Sequence, residues 1–518
     1  MSVIYKKRLW EEGKYLLWTC CATLWIALCV ILPDFIDNPV NGFRSIITIV
    51  AYVVAISILS FGVFYLAGLN KYIAAIVIPL YGIVGAAVSF YRVMYRVTIT
   101  PLMLDCIFQT NPETVRGVIS WQLFAWLAFN MLVAIGFVVW RWKNNNLSHA
   151  WLRALVCVLL IGGYYFCNGR LHNSLNQRYP MNIVDSGYQY YHLQQLRKTP
   201  RTMPSFVKGE LSVDSLDIIF VLGESVRPDH LQLNGYGRET NPLLSNRSNV
   251  VSLPYIRTLH THTAASVPVL MTRADSVHPE FQYSETSFIS ILKQQGFYTA
   301  WIANQEANES FATIPMECDT SVFVNFGKSV YVFSGWYDED LLEPFEEQLN
   351  LGYEKNLIVL HTIGSHWYYN NHVPEQHYYF QPRTDNRVVT NNTLEQVVNS
   401  YDNTVRYCDF VLDSVIRCVE DRCAVVLFLS DHGESLGENN NFLHASGAYE
   451  QTLTACIVWY SDKFAEQFPG KVEALHKNQY KPYLTDFLFH SILNIANIST
   501  IEDKSCDNIF YTQDLNDE

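Results

Sequence analysis

Five uncharged stretches fill the first third of this 518-residue chain, and they constrain its fold more than any other feature. They lie between Lys14 and Asp34, Arg44 and Lys71, Lys71 and Arg92, Arg116 and Arg141, and Arg153 and Arg170. Each is about 16 to 26 residues long, against the roughly 20 that carry a helix across a bilayer. Lipid offers no partner to backbone N–H and C=O groups, so such stretches are expected as helices. One apolar run is compatible with a buried core helix; five in succession predict a five-helix transmembrane domain over residues 1–170. The last run is the shortest, but Tyr164, Tyr165 and Phe166 suit its end to an interface. No small-residue cleavage site comes after the first run, which therefore reads as a span and not as a removable leader.

Charge in the short loops orients the bundle. With the N-terminus inside, Lys6, Lys7, Arg8, Lys14, Lys71, Arg141, Lys143 and Arg153 face the cytoplasm, and Arg44, Arg92, Arg96 and Arg116 face outward. Five crossings then place everything after residue 170 on the outer side. Residues 1–166 carry 12 basic and 6 acidic side chains, which leaves 24 and 43 for the remainder, a net of −19. That split excludes a single soluble globule. It also argues against a nucleic-acid partner, because the large polar part would be repelled by phosphate backbones. Residues 171–211, with Tyr188, Tyr190 and Tyr191 followed by Pro200 and Pro204, read as interfacial bridging helices and a linker.

From residue 212 to 518 short apolar runs alternate with amphipathic ones, the pattern of an α/β domain with a mixed, mostly parallel sheet covered by helices. Leu216–Leu222, Leu357–Leu360 and Ala424–Leu429 are apolar on both parities, as expected for strands buried on both faces. Their carboxyl ends are chemically pointed: Gly223-Glu224-Ser225 after the first, His361-Thr362-Ile363-Gly364-Ser365-His366 after the second, and Ser430-Asp431-His432-Gly433-Glu434-Ser435 after the third. Ligands bind beyond the carboxyl ends of strands in open α/β sheets, so Glu, His and Asp-His are expected to converge on one site. Carboxylates and imidazoles are zinc ligands, and His444 lies 12 residues beyond His432 as a further donor. A nucleophile is available in His260-Thr261-His262-Thr263-Ala264-Ala265-Ser266-Val267-Pro268, whose hydroxyls need a base or a metal to activate them. The competing reading of that segment is a Thr or Ser N-cap before a helix such as Val267–Met271.

These motifs, with the run Asn234-Gly235-Tyr236-Gly237-Arg238-Glu239-Thr240-Asn241-Pro242, resemble the phosphoethanolamine transferases of Gram-negative envelopes. That family includes lipid A modifying and mobile colistin-resistance enzymes, within the alkaline phosphatase and sulfatase superfamily. The resemblance implies that Glu224, Thr263, Asp431 and His432 hold a tightly bound zinc and that Thr263 is the nucleophile. It implies that His366 and His444 bind a second zinc or contact the phosphoryl group and its ethanolamine. Gln109-Thr110-Asn111-Pro112-Glu113 resembles a family turn, which implies donor-lipid contacts at Asn111 and Glu113. The implied partners are phosphatidylethanolamine as donor and lipid A or another envelope glycan as acceptor, with the enzyme a monomer in the inner membrane and its catalytic domain in the periplasm.

The departures are local. Family members often bracket the nucleophile loop with a disulfide whose cysteines fall here at Leu259 and Val269, Ser225 stands for a usual Thr, and Trp367 for a usual Gly. His260 and His262 are extra imidazoles read as non-catalytic. A sulfatase needs x-Pro-x-Arg after its Cys or Ser, and Ser266-Val267-Pro268-Val269-Leu270 lacks the Arg. A phosphoglycerol transferase, or a metal-free lipid-binding envelope protein, is the remaining alternative.

Overall fold

The computed structural model describes residues 2–35, 43–95, 99, 104, 107–108, 119–143, 150–170, 175, 178–198, 200–209, 213–305, 311, 313–324, 335–386, 389–500 and 508–511. The chain divides into two compact units, which change over between Tyr191 and His192.

The first unit is helical: α1 (Ser2–Ile26), α2 (Phe43–Ala67), α3 (Lys71–Tyr95), α4 (Trp121–Lys143), α5 (Ala150–Arg170) and the part of α6 (Met181–Arg197) up to Tyr191. A π turn over Ala27–Ile31 and a 3-10 turn over Leu32–Phe35 prolong α1. Among the described residues four stretches are long and apolar enough to cross a membrane: Trp10–Phe35, Ile49–Ala67, Lys71–Tyr95 and Trp121–Lys143. The expected fifth falls short on this measure. Its apolar part among the described residues is Leu155–Gly169, and Arg153, near the start of α5, pairs with Glu12 at 2.7 Å.

Leu28, Ile76 and Leu132 are more than half exposed, while Trp18, Trp25, Phe64, Ala74 and Ile78 are buried. That is the surface of a protein whose surroundings are as apolar as its interior. Inside, Trp25 Nε1 donates to Asn130 Oδ1 at 2.9 Å, a polar pair that spans two helices. The helix ends are tied in two sets. Arg141 Nε donates to Gly68 O at 2.6 Å, and Arg153 meets Glu12. Arg92 and Arg178 both donate to Asp34 O, at 3.5 and 2.7 Å.

The second unit is built on a seven-stranded sheet: β1 (Leu216–Gly223), β2 (Val250–Leu253), β3 (Tyr298–Ala303), β4 (Thr320–Phe323), β5 (Lys355–His361), β6 (Ala424–Ser430) and β7 (Cys456–Tyr460). The order is β2-β7-β6-β1-β5-β3-β4, with β7 antiparallel to both its neighbours and the other pairings parallel. The three strands expected from the sequence are the central trio β6-β1-β5. All eight residues of β1 are buried, which is why its sequence carries no alternation. Two helices frame the site: α7 (Thr263–Met271) and α8 (Leu394–Val419). The second begins with a capping box, Thr393 to Gln396, that satisfies two backbone donors reciprocally. The described cysteines, Cys318, Cys408, Cys418, Cys423 and Cys456 in this unit, are free thiols.

Phe220, in the middle of β1, is fully buried. Phe220→Ala is expected to destabilise this unit by about 3–5 kcal/mol through lost burial and the residual cavity. Denaturant unfolding followed by tryptophan fluorescence would measure it.

Candidate active site

β6, β1 and β5 end level: Leu222 pairs with both His361 and Leu429, and Gly223 with Ser430. The three loops beyond them are laced through their main chains. Asp431 N donates to Gly223 O at 3.0 Å, Thr362 N to Leu222 O at 3.0 Å, and Ser365 N to Glu224 O at 2.9 Å. Two glycines make that lacing possible. Gly364 has φ +47°, and a Cβ there would press on Glu224 O; a Cβ on Gly433 would strike the carbonyl oxygens of Leu453 and Glu450. Ser225 takes φ +60°, a strained conformation for a residue with a Cβ.

Glu224 is wholly out of water and uses both oxygens. Its Oε1 accepts from Ser225 Oγ at 2.7 Å and lies 3.3 Å from His432 Nε2. Its Oε2 accepts from Thr263 Oγ1 at 2.7 Å and from Gln305 Nε2 at 3.0 Å. His432 Nδ1 lies 2.9 Å from Gly433 O, an acceptor, so that nitrogen carries a proton. Its Nε2 then faces three oxygens: Glu224 Oε1, Asp431 Oδ2 at 3.5 Å and Thr263 Oγ1 at 3.5 Å. Asp431 Oδ2 is buried without a hydrogen-bond partner. Such a cluster of lone pairs is satisfied by a cation, either a proton on Nε2 or a metal, and its carboxylate and imidazole donors suit zinc.

The electrostatics carry the same signature. Burial opposes the charge on Glu224, but His432, with His366 and His444 behind it, holds the carboxyl well below its usual range. Burial and the charge on Glu224 push Asp431 up to about 7. Burial alone would lower His432; Asp431 and Glu224 overcome it and raise the imidazole to about 10. Two acids here share one positive charge.

The segment expected to carry the nucleophile enters α7 with His262 at the N-cap, in extended backbone and without a capping side-chain bond. The expected alternative of a Thr or Ser cap is therefore not what Thr263 does: it opens the helix, half-exposed, with its hydroxyl on Glu224. Ser266 Oγ instead donates to His260 O at 3.2 Å and ties the loop to itself.

His444 joins the site with its ring centroid 4.6 Å from that of His432 and 5.8 Å from that of His366. Ligand atoms of Glu224, His432 and His444 lie within 4.8 Å of one another. Asn111 and Glu113 lie outside the described residues.

Two partners are not evident from sequence. Gln305, two residues beyond β3, bridges Glu224 and Thr362 O at 2.9 Å. Glu434 is fully buried between His444 Nδ1 at 2.9 Å and the Tyr369 hydroxyl at 3.0 Å, a carboxylate-to-imidazole contact that fixes the orientation of the His444 ring. Glu434 stands inside the Ser430–Ser435 motif, yet only its distance to His444 gives it a role.

Residues 217–498 match the sequence model of the sulfatase family, and residues 52–194 match that of "Phosphoethanolamine transferase EptA/EptB". The chain belongs to the sulfatase family as a phosphoethanolamine transferase. Phosphoethanolamine transferase EptA of Escherichia coli K12 is 27% identical, with 96% of each chain covered. The integral membrane lipooligosaccharide phosphoethanolamine transferase A of Neisseria meningitidis shares the fold, at a TM-score of 0.80 and 24% identity over 96% of this chain and 97% of that one. The periplasmic domain of EptC from Escherichia coli, solved in complex with Zn, shares the fold of the second unit, at 0.54 and 23% over 61% of this chain and 91% of that one.

In this transferase the Asn234–Pro242 run is scaffold. Tyr236 and Arg238 bond Asp402 of α8 at 2.9 and 2.6 Å, beside His230 at 2.7 Å. The neighbouring Tyr401 hydroxyl donates to Ser225 O at 2.8 Å and so braces the strained turn after β1.

Gly433→Ala should displace His432 and abolish turnover while the sheet still folds, which activity and circular dichroism together would check. A pH effect should come from Asp338, buried and raised to about 6 by loss of water, whose oxygens accept from Ile363 N and Gly364 N. Its folded value lies above the unfolded one, so its contribution to stability falls as pH rises from about 4 to 6, by about 3 kcal/mol, and is constant above that. Asp338→Asn should flatten this slope in pH-dependent melting.

Proposed function

We propose that this transferase is a monomer of the bacterial inner membrane that moves phosphoethanolamine from phosphatidylethanolamine, through a phosphothreonine intermediate, to an envelope acceptor, lipid A or another lipopolysaccharide component. The assigned parts are a five-span domain over residues 1–170, bridging helices and a linker over 171–211, and a periplasmic catalytic domain over 212–518. The pairing of helix ends supports five crossings. Residues 12, 68, 141 and 153 meet in one set and residues 34, 92 and 178 in another, as alternate crossings require. Relatives named for phosphoethanolamine transfer, and one named for Kdo(2)-lipid A, support the group moved and the acceptor class.

The observation that carries the chemistry is the 2.7 Å bond from Thr263 to Glu224, in reach of His432. Glu224, Asp431, His432 and Thr263 would hold one zinc; His366 and His444 would hold a second or grip the phosphoryl group and its ethanolamine. The Zn-bound EptC domain supports the choice of metal. Bound zinc supplies positive charge that polarises phosphoryl oxygen and favours an ionised hydroxyl. Thr263 releases its proton toward Glu224 Oε2, and its oxygen bonds to phosphorus as the bond from phosphorus to the glycerol oxygen breaks. The glycerol oxygen takes up the proton that Thr263 passed to Glu224, and diacylglycerol leaves. An acceptor oxygen then attacks phosphorus as the bond to Thr263 breaks, and the proton that the acceptor gives up restores the Thr263 hydroxyl. Gln305 keeps Glu224 Oε2 facing Thr263, and Glu434 keeps the His444 ring turned toward the pocket.

Thr263→Ala is expected to lose both the phosphoethanolamine adduct and turnover, read by the mass of the loop peptide after incubation with phosphatidylethanolamine. Ser266→Ala should keep the adduct. An adduct on Ser266 or Thr261, with Thr263→Ala still active, would sink the assignment. Chelation should abolish transfer and lower the melting temperature, because a ligand of the folded state stabilises it by mass action. A periplasm-dependent reporter fused after residue 212 should be active; a cytoplasm-only signal would sink the topology.

A further inference from the structure

Asp338 is a buried carboxylate that the reaction proposed above does not use. It opens a 3-10 turn over Asp338–Leu341 and is 4% exposed. Three N–H groups meet it. Asn304 Nδ2 and Ile363 N donate to Oδ1 at 2.9 and 2.8 Å, and Gly364 N donates to Oδ2 at 2.9 Å. All three donors are neutral. A carboxylate taken out of water among neutral donors costs more than an amide in the same place. What it supplies in return is a set of charge-assisted bonds, stronger than those a neutral acceptor makes.

The donors share a feature: the residue that follows each pair of them in the chain touches Glu224. Asn304 precedes Gln305, whose Nε2 donates to Glu224 Oε2 at 3.0 Å. Gly364 precedes Ser365, whose N donates to Glu224 O at 2.9 Å. The loops after β3 and β5 are also joined directly, by Asn304 N to His361 O at 2.8 Å and Gln305 Nε2 to Thr362 O at 2.9 Å. Glu224 is therefore gripped at its main chain and at its side chain by immediate neighbours of residues that Asp338 holds. The oxygen that Gln305 touches is the one that accepts from Thr263 Oγ1 at 2.7 Å. Displacing a reacting group by about 1 Å can cost about a hundredfold in rate.

We propose that Asp338 is a positioning residue for the transfer: by holding Asn304 and Gly364 it keeps Gln305 and Ser365 on Glu224, and so keeps Glu224 Oε2 on the Thr263 hydroxyl. Its own described bonds reach neither Glu224 nor Thr263. The role rests on the reading above, in which Thr263 attacks phosphorus and passes its proton to Glu224.

The test is the time course of adduct formation on Thr263, read by peptide mass, in the full-length protein in detergent micelles with phosphatidylethanolamine and no acceptor. Damage to the fold lowers the amplitude, the fraction of chains labelled, whereas a displaced Glu224 lowers the rate constant. Asp338→Asn should lower the rate constant about tenfold at saturating donor, with the amplitude and the half-saturating donor concentration unchanged. Gln305→Ala should itself slow labelling. In that background Asp338→Asn should cost only about threefold, because one of its two routes to Glu224 is gone. Where Asp338→Asn fails to fold, Asn304→Ala leaves the carboxylate its two main-chain donors. It should slow labelling about threefold on its own and not at all beside Gln305→Ala. An undiminished rate constant in folded variants, a loss confined to amplitude, or the full tenfold loss with Gln305 already removed would overturn the role. A wild-type protein that labels no Thr263 would overturn the reaction and the role with it. Labelled wild type beside unaffected variants would leave the reaction standing and remove only Asp338 from it.

Discussion

Two carboxylates buried side by side at the ends of neighbouring strands demand a positive charge between them, and the second unit is organised around meeting that demand. Glu224 and Asp431 have no access to water, and their separation is fixed by the register of β1 and β6. Removing charge from solvent costs several kcal/mol per ion unless a counter-charge is in place. His432 meets the demand by keeping a proton far above its ordinary range. The same arrangement that raises this proton affinity is what gives a metal its place, since both cations answer to the same oxygens. The glycines of the site result from it too: loops carrying buried charge must approach closely enough for main-chain groups to bond, and side chains at 364 and 433 would hold them apart.

The second unit was legible where burial wrote a pattern. β1, β5 and β6 stood out because strands covered on both faces are apolar throughout, and the charged residues after them had nowhere to go but the strand ends. Thr263, His366, His432 and His444 were legible as residue types in clustered motifs. Gln305 and Glu434 were not, because an amide or a carboxylate acquires its meaning from a partner 81 or 10 residues away. The Asn234–Pro242 run shows the opposite limit. It reads as part of the site's signature, but its side chains bond Asp402 of α8, whose neighbour Tyr401 supports the turn at Ser225 from behind.

In the membrane half the sequence spoke through absence of charge, and its ambiguity arose where charge returned. Arg153 puts a charge near the start of α5, yet the same arginine joins α5 to Glu12 in α1. A residue that weakens the hydropathy signal of a helix thus also ties that helix to its neighbour. Length and composition register the loss alone; the gain is visible once the helices are packed.

The strand order carries a consequence for assembly. β2 has a single partner in the sheet, β7, which lies some two hundred residues later and is inserted between β2 and β6. The short strand after it, Ile256–Arg257, pairs with Tyr483–Leu484, later still. The segment that leads into Thr263 is thus held at the sheet by pieces synthesised long after it. Pairings of such sequence separation close slowly, because chain entropy is lost before contact is gained. The central strands and their acids can be arranged first, and the Thr263 hydroxyl is delivered to them only when the final third of the chain has folded in. A chain cut short before β7 would keep most of its acidic pocket and lack the means to bring Thr263 to it.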